Sequence, residues 1–175
     1  EKLSKLKPIY GCKAITAGNA PGLNDGATAI LFMTRRKAEE LHLEIIGTIL
    51  AMTSIAIHPN RMPEGPGIAI QRVLDLAKIS LGQIDVIEIN EAFAAVPLVS
   101  IEVLCHRDRG LIEEIKKKTN VNGSAIAIGH PNTASGARII MNLAYELKRH
   151  GEGYAIGAIC GGLAQADACI IKYEG

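Results

Sequence analysis

Runs of apolar, mostly β-branched residues recur along the chain, and each is short enough to be a strand. The run at 27–33 (ATAILFM) carries no charged residue, which predicts a strand buried on both faces. A short glycine-rich link separates the last two runs, which predicts an antiparallel pair. The runs with strand-like character lie at 27–33, 45–57, 84–89, 121–128, 154–160 and 166–172.

Segments with apolar residues three and four positions apart alternate with these runs and predict helices. Thr34 is suited to cap the first helix, and Gly82 is expected to end the second. Pro97 implies either a first-turn position or a kink in the third helix. The charged segment 106–118 is expected to be a solvated surface. The predicted helices lie at 35–43, 68–81, 91–104 and 134–149.

The alternation of strands and helices predicts a layered α/β fold. We expect a mixed, mostly parallel five-stranded sheet with one antiparallel strand and with helices on both faces. The region 45–175 has the pattern of one complete domain, whereas 1–44 has the pattern of the end of another unit. The strand predicted at 27–33 is too apolar for an open sheet edge, so it predicts a sticky surface.

The composition excludes several function classes. The chain has 175 residues, a formal net charge of +1 and only 3% aromatic residues, which argues against binding to nucleic acid or to an anionic membrane. No apolar run is long enough to span a bilayer. The four cysteines include no C-x-x-C pair, which favours a reduced, cytoplasmic setting. No metal-ligand spacing is present among the histidines and cysteines.

Three residues with useful chemistry each follow a strand-like run beside small residues: Asn90, His130 and Cys160. Ligands collect beyond the carboxyl ends of parallel strands, so we expect these three side chains to converge. His exchanges protons near neutral pH, and its position shortly before a helix N-terminus favours the neutral ring. Cys gives a thiolate that can act as a base or a nucleophile, and Asn donates a neutral N–H to a growing oxyanion.

Taken singly, each of these residue types more often has a structural role. A His before Pro usually packs in a loop, a Cys after an apolar strand is usually buried and inert, and an Asn at a strand end usually caps a helix. The functional interpretation therefore depends on the three occurring together.

The motifs resemble those of the thiolase family both in their amino-acid sequences and in their order along the chain. Asn90–Ala94 resembles its NEAF motif, 129–138 its GHPxGxSGAR motif, and Cys160–Gly162 its CxGG motif. Two further segments, 19–27 and 62–66, resemble its NASGxxDGA loop and MGxGP segment. The matches follow the family's order from near the N-terminus to near the C-terminus.

The resemblance implies the layered thiolase fold and acyl transfer between coenzyme A thioesters. It implies that His130 activates a nucleophilic Cys and helps to form an oxyanion hole whose water Asn90 holds. It implies that Cys160 is the acid/base and that the N–H of Gly162 serves a second oxyanion hole. The implied coenzyme A contacts are Ala20, Pro21 and Met62. Coenzyme A enters as a substrate, and no metal or redox cofactor is implied.

The resemblance covers only part of a thiolase. It implies that 1–44 is the end of the N-terminal half and that 45–175 is the C-terminal domain. Neither Cys12 nor Cys105 stands in a motif for the acylated nucleophile, so we expect the isolated chain to be inactive. The expected partners are a thiolase N-terminal half or further copies of the chain, and acyl-CoA or CoA as ligand.

Two other functions stay open at this point. A non-catalytic acyl-CoA binding or assembly module would fit Pro21, which stands where the family often has Ser. A ketosynthase would place His where Asn90 stands and would lack the second catalytic Cys. Thr133 replaces a usual Gly, and Leu163 begins a set of bulkier residues that either narrow the acyl pocket or pack.

Overall fold

Helices and strands alternate along the chain, as the apolar periodicity predicts. The computed structural model describes residues 1–175. The helices and strands are α1 (Arg35–Glu40), β1 (Thr48–Ala56), α2 (Gly65–Ala77), β2 (Val86–Ile89), α3 (Ala95–Leu104), α4 (Arg109–Lys117), α5 (Ala125–Ile128), α6 (Ser135–His150), β3 (Gly153–Cys160) and β4 (Gln165–Tyr173). Short 3₁₀ turns occupy Leu3–Lys5, Pro59–Glu64, Leu81–Gln83 and Gly162–Ala164.

The sheet has the strand order β1-β4-β3-β2. Strand β4 is antiparallel to both of its neighbours, and β2 pairs in parallel with β3. Three strands therefore run in one direction and β4 alone in the other, which confirms the predicted single antiparallel strand. The predicted strand count of five is wrong, because the run 121–128 forms a turn and α5. Only a single parallel bridge, Thr119 to Ile87, continues the sheet beyond β2.

The backbone conformation explains why 121–128 is not a strand. Asn120 and Gly123 both adopt positive φ values, 53° and 78°, which turn the chain twice within four residues. The following Ser124 is extended and leads directly into α5. Apolar composition alone cannot distinguish a short buried helix from a strand, and here the turn residues decide.

The sheet separates two apolar cores. One face packs against α2, α3 and α4, and it includes Ile87 and Ile89 of β2. The other face packs against α6, and it includes Val86 of β2 with Ile139 and Leu143 of the helix. Helices thus cover both faces as expected. Because side chains alternate along a strand, Glu88 shares the α6 face with Val86.

One predicted strand and one predicted surface segment differ from what the structure shows. The segment 27–33 forms no strand, and Leu31 and Phe32 in it are 75% and 58% exposed, because no other part of the chain pairs with it. The charged segment 106–118 contains α4, whose Ile112 and Ile115 are buried. Its apolar residues are three apart, which anchors one face of the helix and leaves the charges outside.

The helix boundaries follow capping chemistry. The Thr34 side chain accepts the N–H of Lys37, as predicted for the cap of α1. The predicted end of α2 at Gly82 is wrong, because Lys78 takes a left-handed conformation and ends the helix there. Pro97 is the third residue of α3, where a missing N–H breaks no helical hydrogen bond and causes no kink.

We predict that Gly67→Ala destabilises the fold by about 1–3 kcal/mol, the usual range for overpacking. A Cβ at Gly67 would overlap the main-chain carbonyl of Ser100 where α2 crosses α3. Urea unfolding measures the change, with Gly82→Ala as the matched control because open space surrounds that position. An unchanged midpoint for Gly67→Ala would show that α2 and α3 do not approach this closely.

Candidate active site

Asn90 lies immediately after β2 and is completely buried. Its main-chain N–H donates to the Ala158 carbonyl at 2.9 Å, which extends the parallel pairing of β2 with β3 by one residue. Its side-chain Nδ2 lies 3.4 Å from Nε2 of His130. Its Oδ1 is buried without a hydrogen-bond partner in the protein. Such an acceptor is costly to bury, so it marks a place where a water or a substrate group fits.

His130 lies in the loop between α5 and α6, which corrects the expectation that it follows a strand. Gly129 before it has a φ of 97°, a conformation that side chains rarely adopt. The main-chain N–H of His130 donates to Oδ1 of Asn24 at 3.0 Å, and Leu23 forms a bridge with His130. The loop that contains Asn24 therefore helps to hold the histidine in position.

The hydrogen bonds of the His130 ring define its tautomer. The Ser135 hydroxyl lies 2.7 Å from Nδ1 and donates its own proton to the Pro131 carbonyl at 3.2 Å. Nδ2 of Asn90 can only donate, so Nε2 of His130 is the acceptor of that contact, and Nδ1 then carries the proton that Ser135 accepts. Burial, followed by the positive charge of Arg138, lowers the pKa of His130. The ring is neutral as expected, and burial is the main cause.

Cys160 is the last residue of β3. Ile89 pairs with Ala158 in the parallel ladder, so Asn90 and Cys160 lie at the same edge of the sheet with Cα atoms about 6 Å apart. The Cys160 side chain packs against the core beside α2 and α3 and forms no hydrogen bond with Asn90 or His130. Burial raises the pKa of its thiol, so Cys160 is protonated at neutral pH.

The loop after Cys160 is tightly bent. The Gly161 N–H donates to the Gln165 carbonyl at 2.8 Å, and the position of a Cβ on Gly162 meets only open space. Leu163 has a φ of 61° and is 91% exposed, so it does not pack. Ala164 is buried, and its carbonyl accepts the Ile57 N–H at 3.0 Å. Of the bulkier residues that follow the glycines, Leu163 therefore projects into solvent, whereas Ala164 packs in the interior.

The residues expected to contact coenzyme A lie on two segments near this edge. Ala20 is buried and Pro21 half-buried, in a loop whose Asn19 carbonyl accepts the Ala94 N–H at 2.9 Å just before α3. Met62 lies in the 3₁₀ turn Pro59–Glu64 and packs against the core beside α2. The first segment adjoins the start of α3, and the second leads into the start of α2.

Four polar residues around the site were not assigned roles from the sequence: Asn24, Glu88, Ser135 and Arg138. Glu88 is the one of these that the sequence signals, because it is the only charged residue in the otherwise apolar, fully buried strand β2. Ser135 and Arg138 lie within the segment that carries His130, but only the fold shows which of its residues face the ring. No group of three or more His, Cys, Asp or Glu side chains is arranged to hold a metal ion. No helix combines the length and the apolar character needed to cross a membrane.

Comparison with known protein families identifies two adjoining matches. The family model described as the thiolase C-terminal domain matches residues 43–173, and the model for the thiolase N-terminal domain matches residues 1–36. The chain is 44% identical to the probable acetyl-CoA acetyltransferase of Mycobacterium tuberculosis over 97% of its own length. It is 41% identical to the β-ketoadipyl-CoA thiolase of Acinetobacter baylyi over 98% of its length. It spans only 42% of each of these relatives.

Solved structures share the fold. The acetyl-CoA acetyltransferase of Bacillus anthracis superposes with a TM-score of 0.87 at 38% identity, over 98% of this chain and 42% of that one. The human mitochondrial 3-ketoacyl-CoA thiolase in complex with CoA superposes with a TM-score of 0.84 at 35% identity, over 99% of this chain and 42% of that one. The expected thiolase-like α/β fold is therefore confirmed.

We predict that the His130 ring titrates below the ordinary value of about 6.5, because burial and Arg138 disfavour the imidazolium. The unfolded chain then takes up this proton first as the pH falls, so the contribution of His130 to the free energy of unfolding declines below about pH 6.5. NMR titration of the ring measures the pKa, and His130→Asn removes this component from the pH dependence of unfolding. A ring that titrates above the ordinary value would contradict the half-buried, neutral arrangement.

Proposed function

The chain belongs to the thiolase family, and from this premise we propose that it forms the C-terminal part of an enzyme that transfers acyl groups between coenzyme A thioesters. The reaction is cleavage of a 3-ketoacyl-CoA by free CoA, or the reverse Claisen condensation of two acyl-CoA molecules. The observation that carries the proposal is the contact of Asn90 with His130 at the sheet edge where Cys160 ends β3. Those three groups supply the amide, the imidazole and the thiol that this chemistry uses.

His130 acts first. Its Nε2 carries a lone pair, because the Nδ1 proton is engaged with Ser135. That lone pair takes the proton of a nucleophilic thiol, which then attacks the keto carbon of the substrate. The weak contact with Asn90, at 3.4 Å, is readily exchanged during this step. The free Oδ1 of Asn90 holds a water whose O–H, with the His130 N–H, stabilises the oxyanion.

Cys160 acts second. When the bond between the α- and β-carbons breaks, its electron pair goes to the α-carbon of the departing acyl-CoA. The Cys160 thiol gives its proton to that carbon, and its raised pKa ensures that the proton is present. The Cys160 thiolate then takes the proton of free CoA, and the CoA sulfur attacks the acylated nucleophile. The shortened acyl-CoA leaves, and the released thiolate of the nucleophile recovers its proton from His130. The N–H of Gly162 serves the second oxyanion, and the open space at the Cβ position of Gly162 supports this assignment because a substrate can approach there.

In this proposal the acylated nucleophile comes from outside this chain. Cys12 is exposed near the N-terminus, Cys105 is buried after α3, and Cys169 is buried within β4. Cys169 lies three residues from Ala166, the partner of Cys160, which is about 10 Å along the strand. We therefore assign 1–44 to the end of an N-terminal thiolase half and 45–175 to the C-terminal domain, and we expect no turnover by this chain alone.

An apolar groove supports the proposal of a partner half. It has a volume of about 600 Å³ and runs between the segment 29–49 and the side of α6. The exposed Leu31, Phe32 and Met33 border it, and Tyr145 lies on the opposite wall. A soluble domain rarely exposes so continuous an apolar face unless another surface covers it. An N-terminal thiolase half, or a second copy of the chain, is the proposed cover.

The remaining expectations belong to the same proposal. Coenzyme A is a substrate that Ala20, Pro21 and Met62 contact, and the reaction uses no metal or redox cofactor. The four free cysteines accord with a cytoplasmic location.

A second candidate function is a thiolase-like module that binds acyl-CoA without turnover. The projecting Leu163 favours it, because this leucine occupies the loop that would face the acyl group. Titration of CoA by calorimetry separates the two candidates. Binding without turnover, even in the presence of an N-terminal half, supports the second function.

We predict that the chain alone does not cleave acetoacetyl-CoA in the presence of CoA, whereas a complex with an N-terminal thiolase half does. In that complex, Asn90→Ala should lower kcat by roughly 10²–10³-fold, the usual cost of losing one oxyanion-stabilising group. Cys12→Ala is the matched control and should leave the rate unchanged. Robust turnover by the pure 175-residue chain would show that no separate N-terminal half is needed to supply the nucleophile.

We predict that Phe32→Glu weakens association with the N-terminal half by about tenfold or more, because it places an unpaired carboxylate in an apolar interface. Analytical ultracentrifugation or calorimetry measures the dissociation constant. Leu76→Glu is the matched control, since Leu76 is similarly exposed, at 54% compared with 58%, and lies on α2 across the sheet from the groove. Equal effects of both substitutions would argue that the groove is not the docking face.

A further inference from the structure

A second polar connection joins β2 to α6 next to the contact of Asn90 with His130. Glu88 lies two residues before Asn90 on β2, so both side chains face α6. Arg138 lies three residues after Ser135 on α6, so both occupy the same side of the helix. Nη1 of Arg138 contacts Oε1 of Glu88 at 2.5 Å. Two connections therefore join β2 to α6. One runs through Asn90, His130 and Ser135, and the neighbouring one is the ion pair of Glu88 with Arg138.

The carboxylate of Glu88 is held from several directions. Glu88 is 4% exposed, and besides Arg138 it accepts hydrogen bonds from Ser124 at 3.3 Å and from Asn142 at 3.4 Å. Burial raises the pKa of Glu88, and these three neighbours oppose that effect by stabilising the carboxylate. A side chain with this many partners has one orientation, and so does the strand segment that carries it.

The pair is costly to bury, which argues against a purely stabilising role. Nε and Nη2 of Arg138 are also buried, yet neither has a hydrogen-bond partner in the protein. A buried ion pair with unused donors contributes less to stability than apolar residues of the same size would. Its best-attested use is to impose one arrangement on the groups around it.

We infer that Glu88 and Arg138 are positioning residues, which fix the spacing between β2 and α6 at which Asn90 meets His130. The inference rests on the proposed function only for its consequence in catalysis. The geometric claim concerns Asn90, His130 and Ser135 in the protein without substrate. Arg138 holds β2 through its ion pair with Glu88, its charge also disfavours the imidazolium of His130, and it touches no reacting atom.

The test measures the tautomer of the His130 ring by NMR in ¹⁵N-labelled full-length chain. The double variant Glu88→Gln/Arg138→Met removes both charges together and so leaves no unpaired buried charge. We expect the ratio of the Nδ1–H to the Nε2–H form to fall by about fivefold, the factor that corresponds to one ordinary hydrogen bond. Arg138→Lys keeps a donor for Glu88 and should restore most of the ratio.

The matched control is Glu146→Gln/Arg149→Met, which removes an ion pair on the same helix, where Glu146 is also mostly buried. It should lower the melting temperature without changing the His130 tautomer ratio. A folded Glu88→Gln/Arg138→Met protein with the wild-type ratio would overturn the inference, as would an equal change in the control. Because no substrate is present, these outcomes are independent of whether the assembled enzyme transfers acyl groups.

Discussion

The parallel pairing of β2 with β3 is the constraint on which the candidate site depends. It places the ends of both strands, and with them Asn90 and Cys160, at one edge of the sheet. A slip of one residue would turn Asn90 away from α6 and bury Ile89 against the polar groups there. The alternation of apolar and polar positions on β2 opposes that slip, because Ile87 and Ile89 fill one core while Glu88 meets Arg138 on the other face.

Burial also determines the protonation states at this edge. It lowers the pKa of His130 and raises that of Cys160, so both groups are neutral near pH 7. A neutral imidazole can take a proton and a neutral thiol can give one, which are the two transfers that the proposed reaction requires.

The local sequence predicts most of the fold, because regular elements depend on periodicity and caps. The terminal hairpin, α6 and the Thr34 cap are recognisable from pattern and turn chemistry alone. The segment 27–33 is not, because whether an apolar run becomes a strand depends on a pairing partner that local sequence does not reveal. At the site, residue type and motif indicate Asn90, His130 and Cys160. Glu88 and Arg138 emerge only when the register and the helix face are known.

The proposed reaction depends most on the exchange of a proton between Cys160 and the α-carbon of a bound thioester. The most direct test is deuterium exchange into the methyl group of acetyl-CoA in D₂O, catalysed by the enzyme assembled with its N-terminal half. We expect exchange in the wild type and in Cys12→Ser, and its loss in Cys160→Ser. Exchange that continues undiminished in Cys160→Ser would contradict the account.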